Sequence, residues 1–209
     1  MTNSNQKYAE IYYSSDVEAS GPIPGLYSMT SFGVAIAGAR TQDGNYVRFD
    51  VDSPDLSFYR ELQLLPGAKI DPEAMAVAGL TEDHLAAHGV DPHVAMGAFN
   101  RWVAESTALL GGGKPVFAAY PLPFDWMFIY YYLMAFHGSS AFGFSSTLDM
   151  KTYAAASLDL PIKKISKGRG GAMRPFVPTD RVHTHNSLDD AREQGIMLMN
   201  LLEAARSNR

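Results

Sequence analysis

Five side chains of chemically capable type fall in three distant stretches of the chain: Asp16 and Glu18, Asp125, and His185 and Asp190. Asp16 and Glu18 close an apolar, β-prone stretch, Tyr12-Tyr13-Ser14-Ser15-Asp16-Val17-Glu18. Alternation along an extended chain puts both carboxylates on one side and turns Val17 to the other. Asp125 opens a very apolar helical stretch, and Asp190 follows His185 by five residues. Carboxylates gathered together repel one another unless cations hold them, so this set predicts a divalent-metal site. Hard cations such as Mg²⁺ and Mn²⁺ favour oxygen ligands. Two of them about 3.5–4 Å apart suit phosphodiester hydrolysis, one activating water and the other stabilising the leaving oxygen. Histidine, with an ordinary pKa of about 6.5, is the natural base for that water. His185 takes this part, and Asp16, Glu18, Asp125 and Asp190 take the metals.

Each piece alone has a plainer explanation. Asp71-Pro72-Glu73 has the same Asp-x-Glu spelling, but Asp before Pro at the start of a helix is capping chemistry and needs no metal. Asp50, Asp52 and Glu61 imitate a calcium loop, yet Pro54 falls where an oxygen ligand belongs and Asp55 where the turn glycine belongs. Asp125 could simply favour a helix N-terminus, and Asp189 and Asp190 could be solvated. Asp16 and Glu18 differ because they end a strand, where carboxylates cap nothing.

The chain has 209 residues, 46% of them hydrophobic and 19% charged, enough for one well-buried domain and too apolar for disorder. Its net charge of −5 repels nucleic acid at long range, so a polyanion would need local cations. No cysteine is present, which excludes disulfides, thiolate–zinc sites and cysteine nucleophiles and fits a reducing cytoplasm. Residues 1–7 are a polar tail without the apolar core of a secretion signal. The strongest apolar run, 126–136, spans 11 residues against the roughly 20 that a membrane helix needs. The expectation is a soluble, cytoplasmic protein that does not enter membranes.

Residues 10–18, 29–37, 46–51 and 58–64 read as strands in a meander. The period then changes. Helices are predicted at 72–78, ended by Gly79, and at 92–110, 124–136, 148–158 and 187–206, with one buried strand at 115–119 between them. Strands followed by helices with an interposed strand predict an α/β layered fold, helices packed on a mixed sheet. The Lys-, Gly- and Pro-rich segment 161–181 reads as a long mobile loop.

Taken in order, these residues resemble the DEDDh, or DnaQ-like, exonucleases. Asp16-Val17-Glu18 matches the first family motif, Phe124-Asp125 the second, and His185-Asn186-Ser187-Leu188-Asp189-Asp190 the third. The stretch 71–81, ending Gly79-Leu80-Thr81, resembles the family's helix and turn between the first two motifs. The resemblance implies a single-domain ribonuclease-H-like mixed central sheet flanked by helices, over 8–206. It further implies two Mg²⁺ or Mn²⁺ ions and release of 5′-mononucleotides from single-stranded or frayed 3′ ends of DNA or RNA. Two other readings stand beside it: a short-oligonucleotide ribonuclease with the same chemistry, and a catalytically weak nucleic-acid-binding module. The sequence departs from the family in places. Tyr120-Pro121-Leu122-Pro123 replaces the usual His-Asn approach to the second motif, so a polar substrate contact is lost or is supplied by Tyr120. Ser187 replaces Ala, and Ser20–Gly25 is an unusual Gly/Pro-rich spelling.

Remaining candidates concern the substrate. In the family arrangement Ala19 and Ser20 touch the terminal nucleotide. Lys163, Lys164, Lys167, Arg169 and Arg174 form a local basic cluster just before the third motif, either solvated or clamping the substrate backbone. His183 lies two residues before His185 and reads as a loop residue or phosphate contact. The run Trp126–Met134 is apolar on every helical face, which predicts a helix wholly buried or covered by a second copy of the chain as a homodimer, with base stacking on its tyrosines as the functional alternative.

Overall fold

The computed structural model describes residues 7–181 and 184–207, so His183 lies outside the described residues. Strand β1 (Tyr8–Ala19) is central. It pairs antiparallel with β2 (Met29–Thr41) on one side and parallel with β5 (Lys114–Ala119) on the other, and β6 (Thr147–Asp149) runs parallel beyond β5. The short strands β3 (Tyr46–Arg48) and β4 (Ser57–Glu61) both pair with β2, at separate stretches. The mixed six-stranded sheet has order β3-β2-β1-β5-β6 with β4 also on β2.

The helices are α1 (Pro72–Ala78), α2 (Glu82–His88), α3 (Pro92–Leu109), α4 (Leu122–Tyr132), α5 (Met150–Leu158) and α6 (Ser187–Ser207). Asp71 caps α1 by accepting from the Glu73 N–H (2.9 Å), and Gly79 ends it at φ 66°, as capping logic requires.

Alternation along β1 sorts the core. Ile11, Tyr13 and Val17 join Phe32, Phe58, Phe99, Phe117 and Phe128 under α3 and α4. Tyr12 joins Ala35, Ala37, Val116, Ala118, Met197 and Leu201 under α5 and α6. From Tyr12 to Glu18 the even-numbered residues of β1, Asp16 and Glu18 among them, share the α6 side.

Helix α6 lies almost against the sheet. A Cβ on Gly33 would come within 2.3 Å of the Leu188 backbone, so only glycine fits there. Gly33 pairs directly with Asp16 across β1–β2, so this close approach sets the first turn of α6 beside Asp16.

Three elements differ from the sequence expectation. Residues 147–149 form β6 before α5 begins, and α2 was not anticipated. The segment 161–181 is not a plain loop. Ile165 and Met173 are buried, and Ala172 N–H to Lys164 O (3.0 Å) and Met173 N–H to Ser166 O (3.1 Å) close it on itself. Helix α4 is buried on one face only. Phe128, Ile129 and Tyr132 are interior, whereas Met127, Tyr131 and Met134 are exposed and line a shallow apolar groove with Pro24. No described helix is long and apolar enough to cross a membrane.

Candidate active site

A cleft of about 340 Å³ opens at the carboxyl ends of β1 and β5, lined by Asp16, Glu18, Asp125, His185 and Asp190 together with Tyr120 and Phe124. Each residue arrives by a different local device. Asp16 and Glu18 are delivered by β1. The pairing of β1 with β5 stops at Ser14–Ala118, and beyond it the Val17 N–H donates to Asp125 Oδ1 (2.9 Å), in the first turn of α4. Asn186 caps α6: its Oδ1 accepts from the Leu188 and Asp189 N–H groups (3.1 and 3.3 Å), and its carbonyl from the Asp190 N–H (2.9 Å). His185, just before the cap, holds φ 55°, a conformation uncommon outside glycine but one that histidine adopts more readily than most residues. Ser187, fully buried, shares a hydrogen bond with Ser31 (3.2 Å).

The carboxylates disturb one another as crowding requires. Burial pushes the Asp16 carboxyl well above its ordinary range, and the charges of Asp125, Glu18 and Asp190 push it further, with Lys167 partly offsetting them. Burial raises Asp125 too, against the Val17 N–H that favours its charged form. Glu18 is pushed up to about 7, by burial first and then by Asp190. Such groups either hold protons or hold cations. Among the described residues, a carboxylate oxygen each from Glu18 and Asp190 and a ring nitrogen of His185 lie within 4.8 Å of one another. Oxygen-rich donors with one imidazole and no thiolate fit a hard divalent cation.

Two residues that sequence reasoning passed over support the cleft. Gln194, buried one helical turn after Asp190, donates from Nε2 to Asp16 Oδ1 (2.7 Å) and accepts the Tyr120 N–H at Oε1 (2.9 Å). Glu193, also buried, holds Lys167 at 2.9 Å. The only signal for Gln194 was its i+4 spacing from Asp190 on one helical face.

Several expected substrate contacts are corrected. Ser20 is fully buried, with its hydroxyl donating to Lys69 O (3.1 Å) and accepting the Ser28 N–H (2.9 Å). Ala19 is 5% exposed and packs in the core. Both side chains serve the fold and neither is open to a nucleotide. Tyr120 lines the cleft and its hydroxyl donates to Ile165 O (3.0 Å), which leaves that oxygen only as an acceptor for any further contact. The basic cluster divides. Lys167 stands next to the cleft, whereas Lys163, Lys164 and Arg169 are exposed and line neither the cleft nor the pocket beside it.

No family model matches the sequence. The nuclease domain of 3′hExo, a DEDDh family member solved with rAMP, superposes with a TM-score of 0.62 at 12% identity, covering 97% of this chain and 95% of that one. The cell-death related nuclease CRN-4 gives 0.61 at 14% identity over 93% of this chain and 64% of that one. Escherichia coli ExoI, in a zinc-bound complex with single-stranded DNA, gives 0.57 at 16% identity over 96% of this chain but 42% of its own length. These likenesses establish the fold. In sequence, the 3′-5′ DNA exonuclease Cap18 of Escherichia coli is 33% identical over 189 residues, 88% of each chain. Kinship over that span, on the DEDDh fold, decides the lineage: the chain belongs to the DEDDh (DnaQ-like) 3′–5′ exonucleases.

Proposed function

We propose that the protein shortens single-stranded or frayed DNA from its 3′ end, one 5′-mononucleotide at a time, using two Mg²⁺ or Mn²⁺ ions held by Asp16, Glu18, Asp125 and Asp190. The observation that carries this reading is the convergence of those carboxylates, three of them with raised pKa values, on a cleft that also holds His185. Bound divalent ions would supply charge neutralisation at the phosphate and acidify a water. His185 receives the proton of the water whose oxygen attacks the last phosphorus. The bond from phosphorus to the O3′ of the preceding nucleotide breaks, leaving a 3′-hydroxyl on the strand and a 5′-phosphate on the released nucleotide. Gln194 fixes which Asp16 oxygen faces the cleft. DNA is the substrate named for the Escherichia coli relative, and that supports assigning it here.

The test is incubation of 5′-labelled DNA and RNA single strands, and of dinucleotides, with Mg²⁺ or Mn²⁺. The expected product is a ladder shortened from the 3′ end of DNA, abolished in Asp16→Ala and strongly slowed in His185→Ala. Cleavage confined to the shortest RNA would instead identify a short-oligonucleotide ribonuclease. Binding without cleavage would identify a binding module.

A further inference from the structure

We propose that Lys167, Arg174 and Arg181 form a phosphate-binding pocket that takes the sugar–phosphate backbone of the strand as it leaves the active-site cleft. The inference rests on the nucleolytic reading above and assigns the path of the substrate. The pocket, about 350 Å³, sets these three cations and Thr179 against one carboxylate, Glu193, in a chain whose net charge is −5. A polyanion repelled by the molecule as a whole gains most where positive charge is locally concentrated.

Two of the three cations are held in place before any ligand arrives. Glu193 fixes Lys167 at 2.9 Å, and Asp52 forms an ion pair with Arg181. Among the described residues Arg174 has no carboxylate partner, so its guanidinium keeps its donors for a phosphate. The backbone beneath Lys167 is closed rather than loose. A Cβ on Gly171 would come within 2.1 Å of Ser166 O, and buried Ile165 and Met173 anchor the segment.

Lys167, which lines the pocket, is the residue that brings it beside the cleft. Its Nζ lies 5.8 Å from the centre of the Tyr120 ring, which lines the cleft, and its charge favours ionised Asp16. A strand whose terminal phosphate reaches Asp16 therefore meets Lys167 next, and then Arg174 and Arg181.

The test is the salt dependence of binding of a labelled single strand in a His185→Ala background, which slows cleavage. Each phosphate contact removed lowers the slope of log affinity against log salt by about 0.7. Arg174→Gln and Arg181→Gln should each lower it by that amount. Lys163→Gln and Lys164→Gln remove the same charge outside the pocket and should leave the slope unchanged. Equal slopes in all four, with melting temperatures intact, would overturn the pocket. A parallel arm with 5′-dAMP separates strand from product: mononucleotide binding lost in Arg174→Gln would move the pocket to the leaving nucleotide and overturn the path. Absence of any 3′-end shortening by the unmodified protein would instead defeat the nucleolytic reading itself.

Discussion

Gln194 offers the sharpest check on how the cleft is built. Its orientation is fixed by chemistry: the Tyr120 main-chain N–H can only donate, so the amide oxygen must face it and the amino group must face Asp16. Gln194→Met keeps length and bulk but removes both interactions. A hydrogen bond to a charged group contributes roughly 1.5–3 kcal/mol, and the stranded Tyr120 N–H costs about 1–3 kcal/mol more. Groups that orient metal-binding carboxylates typically contribute about 10–100-fold to metal affinity or activity. We therefore expect kcat to fall about 10–100-fold at saturating strand, KM for the strand to stay put, and Mn²⁺ binding followed by electron paramagnetic resonance to weaken in step. Gln194→Glu separates the two roles. It retains an acceptor for Tyr120 but places a second carboxylate beside Asp16, so its turnover loss should equal or exceed that of the methionine variant while its melting temperature drops less. A Gln194→Met protein that melts early yet binds Mn²⁺ and turns over normally would reduce Gln194 to packing and refute the reasoning.

His185→Ala should lower kcat by about 10²–10⁴-fold while leaving Mn²⁺ binding within a few-fold, because a proton acceptor is lost and the carboxylates remain; undiminished turnover would remove His185 from the chemistry. In the metal-free protein Glu18 titrates near 7 when folded against about 4.5 when unfolded, so the native state binds the extra proton and stability should fall as pH rises from about 4.5 through 7. Thermal melts in chelator should show that decline, and Mn²⁺ should raise the midpoint more at pH 8 than at pH 5, since ligands must be deprotonated to bind; a flat profile contradicts the burial argument. Gly33→Ala inserts a Cβ within 2.3 Å of the Leu188 backbone, and should cost about 1–3 kcal/mol by equilibrium unfolding and reduce activity as well, because the first turn of α6 carries Asp190.

What could be read from the chain depended on how local each signal was. Alternation put Asp16 and Glu18 on one side of β1 with Val17 in the opposite core, and the structure has them so. The short α1 was legible because it carries its own start and stop chemistry, and the long α6 because its apolar residues recur at helical spacing. Strand β6 was not, because three residues show no period and Asp149 immediately caps α5 by accepting from the Lys151 N–H (3.1 Å). Helix α2 has seven residues and buries Leu85 alone, too little for a recognisable stripe. In 161–181 the abundant Lys, Gly and Pro concealed Ile165 and Met173, two anchors too far apart to form a pattern. For the run 126–134, hydrophobicity on every face said nothing about which face the sheet would cover. Gln194 was out of reach, since a polar residue in a terminal helix is ordinarily solvated, and only the fold brings its amide to Asp16.

The placement of the cleft follows from the topology. Parallel strands β1 and β5 pair as far as Ser14 and Ala118, with β1 running on to Ala19, and crevices beyond the carboxyl ends of such strands are where ligands collect in α/β sheets. Here the N-termini of α4 and α6 also converge, carrying Asp125 and Asp190 in their first turns. Helix N-termini bear partial positive charge, which moderates carboxylate repulsion by about 0.3–1 kcal/mol each. Burial first, and the neighbouring charges after it, still hold Asp16, Glu18 and Asp125 above their ordinary range. Without cations these groups favour their protonated forms, and the glycine contact between β2 and the start of α6 keeps the carboxyl of Asp190 close to them. Cations binding only the folded arrangement would add stability by mass action, about 2.7 kcal/mol at one hundred times the dissociation constant. That fixed spacing holds Glu18, Asp190 and His185 where a doubly charged ion would meet all three at once.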